Sequence, residues 1–221
     1  MKKLLLFLLI GVACIILILL FLPYLDDGGC VLRALPLPKK GESLTRCIII
    51  SNTEFEERGE HDIWPESERF SEMDKEYSEA YFVNVVSPMY VDNIPRFQMF
   101  CGAGIPCASN ADDFLEGGKN AWSYIGGGTP DNPMPTNAPF LFTKNLRLAN
   151  NDLHYYSKPE NAKDKSFFSK FDASEKPFGS TPIIVIYRDA SVKTMKAKDL
   201  TPSAFFNGCK MPPNAYVVHP R

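Results

Sequence analysis

Three consecutive glycines, Gly126-Gly127-Gly128, follow the aromatic run Trp122-Ser123-Tyr124-Ile125. A glycine-rich loop cradles phosphate when it runs directly into a helix N-terminus, because free backbone N–H groups and the helix dipole then face the anion. Here the continuation is Thr129-Pro130-Asp131-Asn132-Pro133-Met134-Pro135, with Pro139 shortly after. Proline lacks the backbone N–H and clashes with the preceding turn, so a helix is not expected there. No Gly-Lys-Ser/Thr follows the glycines either. They are expected to form a flexible surface turn between two strands.

Other chemistry is equally sparse. There is no Gly-x-Ser-x-Gly elbow to expose a nucleophilic serine, and His61, His154 and His219 lie far apart without a partner spacing. All three read as surface histidines. Asp112, Asp113 and Glu116, with Asp131 and Asn132 beyond the glycines, carry oxygens of the kind that ligate calcium. Their spacing follows no calcium-loop pattern, and solvated turn residues are the expectation. No catalytic, cofactor-binding or metal-binding residue is assigned, and no cofactor is expected. The pair Cys101 and Cys107 spans Gly-Ala-Gly-Ile-Pro, a separation that permits a loop-closing disulfide in an oxidising compartment. It is not the C-x-x-C of a zinc site.

The elements that position these residues follow from the chain's layout. Its 221 residues suffice for one sizeable core, and the 18 prolines and 14 glycines imply a loop-rich fold. A net charge of -2 offers no basic stripe, so nucleic acid is not an expected partner. Lys2 and Lys3 precede an uncharged run from Leu4 to Leu25, and Asp26 and Asp27 follow it. At ~1.5 Å per residue this run crosses a ~30 Å hydrocarbon core. Residues 1–25 are therefore expected to be a single-pass transmembrane anchor, in lipid through residues 4–25, with a cytoplasmic N-terminus. A cleaved signal peptide and a lipoprotein signal with Cys14 as the acylated residue are the alternatives.

Residues 26–43, with Gly28, Gly29, Pro36 and Pro38, read as a linker, and residues 44–221 as an extracytoplasmic head. A helix capped at Ser43 would gather Leu44, Cys47, Ile48 and Phe55 on one side, although Cys47-Ile48-Ile49-Ile50 reads equally well as a buried strand. A second helix is expected between Pro65 and Pro88, with Phe70, Met73, Tyr77, Tyr81 and Val85 at helical spacing. Strands are expected at Ser123–Gly128 and Ala138–Leu146, flanking the glycine loop. A hairpin is expected where Ile183–Tyr187 meets Asp189-Ala190-Ser191 and continues through Val192 and Thr194. Eleven acidic and three basic residues lie between Ser51 and Ala80, against six acidic and eleven basic between Lys144 and Lys198. The two blocks read as solvated faces or as complementary surfaces of neighbouring copies.

Taken in order, four segments resemble a known family: Ile63-Trp64-Pro65-Glu66, the run from Ser78 to Pro106, the run from Asn120 to Leu146, and the hairpin from Pro182 to Lys193. The series is similar to the pseudopilins and pilin-like proteins related to type II secretion, particularly the divergent Verrucomicrobiota forms, over Ile63 to Asp199. In such proteins a loop rich in Asn, Pro and Thr precedes a strand like Pro139–Leu146, and a strand–turn–strand ends the head. The apolar run departs from the family in carrying no Glu. The resemblance implies an α+β fold, a transmembrane helix followed by a pilin-like head with a helix packed on a small antiparallel sheet. It also implies a non-catalytic structural or accessory subunit in a bacterial inner membrane, with a periplasmic head and other pilin-like subunits as partners. The alternative is a membrane-anchored periplasmic enzyme or ligand-binding protein, with Trp122 and Tyr124 lining a pocket beside the glycine loop.

Overall fold

The structure, a computed structural model, describes residues 35–57, 64, 97–129 and 131–220, with residues 51–57 as backbone only. The apolar run Leu4–Leu25 and the helix expected from Pro65 to Pro88 lie outside the described residues. Among the described residues no helix is long and apolar enough to cross a membrane.

Helix α1 spans Leu37–Glu57, so it begins six residues before the expected cap at Ser43 and takes in residues 37–43 at the end of the expected linker. The reason is local. The Pro36 carbonyl accepts from the N–H groups of Lys39 and Lys40, which puts Pro38 in the first turn. There a missing N–H breaks no intrahelical bond, so the proline that reads as a breaker starts the helix. Leu37, Lys40, Gly41, Leu44, Thr45 and Ile48 are buried, a stripe at helical spacing, while Ile50 is 59% exposed. The ambiguous Cys47–Ile50 run is thus helical, with Cys47 half-buried beside the stripe.

Five strands form one antiparallel sheet in the order β4-β3-β2-β1-β5. They are β1 (Trp122–Gly126), β2 (Pro139–Thr143), β3 (Ile183–Tyr187), β4 (Val192–Met195) and β5 (Tyr216–Val218). The strands on either side of the glycine loop pair directly, Tyr124 opposite Leu141. The hairpin forms where the β-branched run meets its turn, Ile186 opposite Val192. It does not end the head, as the family resemblance implies. The chain continues through α4 (Pro202–Phe206) to β5, which pairs with β1 in the register Tyr124 to Val218. The other short helices are α2 (Ala111–Leu115) and α3 (Asn150–Tyr156).

Both faces of the sheet are covered, so the molecule is α+β in three layers. Leu44 and Ile48 of α1 share one cluster with Trp122, Tyr124, Leu141 and Ile186. Phe114 of α2 joins them, its ring 5.2 Å from Phe97 and 5.1 Å from Phe100. Leu153 of α3 and Phe205 and Phe206 of α4 fill the opposite face with Ile125, Phe142, Ile183 and Val185. Every residue of β1 and β2 is buried in consequence. Trp64 is clamped between the Phe140 ring, 4.9 Å away edge-on, and the Arg188 guanidinium 3.9 Å above its ring.

Helix α1 comes down onto the sheet at Gly41. A methyl group built there would stand 2.6 Å from Ile186 Cγ1 and 2.8 Å from Trp122 Cη2. Gly41→Ala gains about 1 kcal/mol of helix propensity but overpacks a buried interface, which costs about 1–3 kcal/mol. Thermal unfolding of the chain is expected to show a net lowering of Tm by a few degrees, roughly 2–4 °C per kcal/mol. Arg46→Ala, on the exposed side of the same helix, is expected to leave Tm nearly unchanged.

Candidate functional site

The glycine loop is the first candidate, and it is not a surface turn. Gly126 ends β1, Gly127 and Gly128 follow at φ 101° and 110°, and all three are buried. A methyl group on Gly127 would lie 2.4 Å from the Asn214 carbonyl oxygen and 2.6 Å from Ala215 Cα. One on Gly126 would lie 2.6 Å from Cζ of Tyr216. The loop is a seat for residues 214–216. The Asn214 side chain secures it, its Oδ1 accepting from Gly128 N–H at 3.1 Å and its Nδ2 donating to Gly128 O at 2.8 Å. An amide arriving from 86 residues away thus meets backbone groups that a helix or a phosphate would otherwise satisfy.

Beside the seat lies a serine–histidine pair that sequence reasoning missed. Ser123 Oγ lies 2.7 Å from His219 Nδ1, and His219 Nε2 lies 2.9 Å from the Leu148 carbonyl oxygen. A carbonyl only accepts, so Nε2 carries the proton and Nδ1 accepts from the Ser123 hydroxyl. The imidazole is neutral and packs edge-on against Phe142 at 5.9 Å. Burial holds its pKa below the usual 6.5 more than the Leu148 carbonyl raises it; Arg147 and Lys144 lower it further, and Glu175 raises it slightly. A nucleophilic serine needs access to substrate, and its histidine is commonly oriented by a carboxylate. Ser123 has no exposed surface and the third group is a backbone carbonyl. The pair is a clasp that ties residues 217–219 to β1. Since Ser123 and His219 are 96 residues apart, no spacing could announce it.

The remaining candidates are mostly absorbed by local structure. Asp113 accepts from Lys119 Nζ at 2.8 Å, from Ser109 N–H at 2.8 Å and from Ser109 Oγ at 3.1 Å. The Lys119 hydrogen bond is the largest cause that holds its carboxyl down to about 2. Asp112 and Glu116 are exposed, and Asp131 and Asn132 are exposed in a tight turn closed between Thr129 and Asn132. Among the described residues no group of three His, Cys, Asp or Glu side chains is placed to hold a metal ion. Trp122 and Tyr124 are core residues and not pocket walls; both are fully buried, and Trp122 Nε1 donates to the Met99 carbonyl at 3.1 Å. His154 lies half-buried on α3, and His61 is outside the described residues.

Cysteine chemistry is concentrated at one place. Cys101 and Cys107 are joined by a disulfide across a Cα separation of 4.9 Å. Cys209 is a buried thiol that donates to Asn137 Oδ1 at 2.9 Å, and burial pushes its pKa up. Cys47 is a free thiol, half-buried on α1.

No protein-family model, no curated protein and no solved structure matches the chain.

The clasp predicts a pH dependence. An unfolded chain protonates His219 near pH 6.5, whereas the folded chain resists to lower pH. The unfolded state therefore binds more protons in that window, and the contribution is fully present above pH 6.5 and is lost as pH falls toward the depressed folded value. Urea unfolding at a series of pH values between about 5 and 7 is expected to show a smaller decline for His219→Gln than for the native chain. A second prediction concerns the seat. Gly127→Ala combines a positive φ with a backbone clash, and is expected to cost about 3 kcal/mol or more in the same measurement.

Proposed function

We propose that this chain is a non-catalytic, pilin-like structural or accessory subunit of a type II secretion or pilus-like apparatus, anchored by residues 4–25 in a bacterial inner membrane with its head in the periplasm. The observation that carries the reading is the placement of α1 flat on an antiparallel sheet, with Gly41 against Trp122 and Ile186. A helix placed in this way buries one stripe on the sheet and leaves the other for neighbours. The ordered resemblance from Ile63 to Asp199 supports the same reading. So does the use of Trp122, Tyr124, Ser123 and His219 for packing and fastening, which leaves these chemistry-capable residues inside the fold. The apolar run has no Glu for subunit registration, which favours an accessory place over that of a main filament subunit.

The test is cross-linking in membranes at native expression, with a photoreactive residue in place of Ile50, the exposed isoleucine of α1. Adducts with pilin-like subunits or with second copies are expected; a chain that stays uncross-linked while the apparatus assembles around it overturns the proposal. Mass spectrometry of the mature N-terminus reads the anchoring separately. An intact Met1 is expected, against cleavage after Gly11 or acylation at Cys14.

A further inference from the structure

A lysine ammonium sits beside the disulfide with no carboxylate to account for it among the described residues. Lys40 lies on the buried stripe of α1 and is 2% exposed. Its Nζ donates to the Cys101 carbonyl oxygen at 3.0 Å and stands 3.7 Å from Cys101 Sγ. Burial lowers its pKa, and among the described residues no charged side chain offsets that effect. A buried lysine without an acidic partner is costly, and a charge of opposite sign beside it relieves the cost. The atom placed to acquire that charge is Cys101 Sγ.

The two sulfurs are unequal. Cys101 is 2% exposed and Cys107 is half-buried, so an incoming thiol reaches Cys107 first. The loop between them, residues 102–106, rests on the start of α1. A methyl group on Gly102 would come 3.2 Å from Leu37 Cδ1, and one on Gly104 would come 2.7 Å from Pro177 Cβ. Cys101 Sγ also lies 3.4 Å from the Gln98 carbonyl oxygen. Once reduced, Cys101 has a carbonyl that holds its thiol form and an ammonium that holds its thiolate. The S–H group is a weak donor, and although burial disfavours a lone thiolate here as it does at Cys209, the ammonium 3.7 Å away supplies the opposite charge that offsets that penalty.

We infer that Cys101–Cys107 is a thiol–disulfide exchange site, reduced by a dithiol oxidoreductase, with Lys40 stabilising Cys101 as the leaving thiolate. The inference stands on this geometry and not on the pilin-like reading. A thiolate of the reductant attacks Cys107 Sγ, a new S–S bond forms to Cys107, and the old bond breaks with its electron pair on Cys101. The reductant's second thiolate then attacks its own sulfur in the mixed disulfide and releases Cys107 as a thiolate. The reductant leaves as a disulfide, two electrons have passed to the cysteine pair, and Cys107 takes a proton from water. A lower leaving-group pKa speeds the first step and favours the reduced pair.

The experiment uses the full chain in detergent, equilibrated with reduced and oxidised glutathione and read by maleimide mass shift of Cys101 and Cys107. Lys40→Met is expected to make the pair about tenfold harder to reduce, and to slow reduction by dithiothreitol similarly, one pKa unit being tenfold. Lys40→Arg is expected to retain most of the native behaviour. Equal equilibrium constants for the native chain and Lys40→Met overturn the inference. A measurement that leaves Lys40 in place guards against misfolding of that variant. In Cys107→Ser, thiolate absorbance near 240 nm, with Cys101→Ser/Cys107→Ser subtracted, is expected to titrate below the ordinary cysteine value of about 8.5. Titration at or above that value overturns the role of Lys40. Glutathione trapped during partial reduction is expected on Cys107; its recovery on Cys101 overturns the assigned direction of attack.

Discussion

The approach of α1 to the sheet at Gly41 is the constraint on which the other layers depend. With no side chain at that position, the helix backbone comes down onto Ile186 and the Trp122 indole, and Leu44 and Ile48 sink completely beside them. Burying side chains of this size contributes roughly 1.5–3 kcal/mol each. The same depth carries Lys40 beneath the surface to the Cys101 carbonyl and brings the loop at Gly102 against Leu37. Packing and candidate redox chemistry on this face therefore share one cause, the absence of a Cβ in the second turn of a helix.

The opposite face is governed by the end of the described chain folding back. Asn214 occupies the backbone polar groups of the glycine loop, and His219 closes on Ser123. Each is a part-buried polar bond, of the kind that contributes about 0.5–1.5 kcal/mol. Phe142 lies in contact with His219 and Phe205 alike, so the clasp and the α4 layer support a common ring. Triple glycine and Ser–His are signatures of catalysis in other settings; here both serve to dock a returning segment.

What could be read from the residues follows a physical division. The β1–β2 pair and the β3–β4 hairpin were legible because apolar, β-branched and aromatic runs stop at Gly, Pro, Asp and Asn, all within a short stretch of chain. The start of α1 was not, because Pro36 and Pro38 read as helix breakers until their position in the first turn is known. Strand β5 was not, since Tyr216–Val218 is three residues beyond two prolines and becomes a strand only by pairing with β1. The burial of Gly126–Gly128 and the pairing of Ser123 with His219 depend on partners more than eighty positions away. Local pattern carries no information at that range. Lys40 shows the same limit, as a lysine in a linker-like sequence gives no sign of a sulfur 61 residues on.

Strand order has a consequence for the life of the chain before it is complete. Strand β1 lies inside the sheet only because β5 covers it, and β5 is supplied about as late as any described element. Until residues 214–219 arrive, the strand that carries Trp122 and Tyr124 presents an open row of N–H and C=O groups. Such a row is a template for pairing with any extended segment nearby. Closure also joins distant parts of the chain, which makes it slow relative to the hairpins. Chains shortened or nicked ahead of Asn214 are therefore exposed to strand-mediated aggregation, and quality control would have an unpaired aromatic edge to recognise.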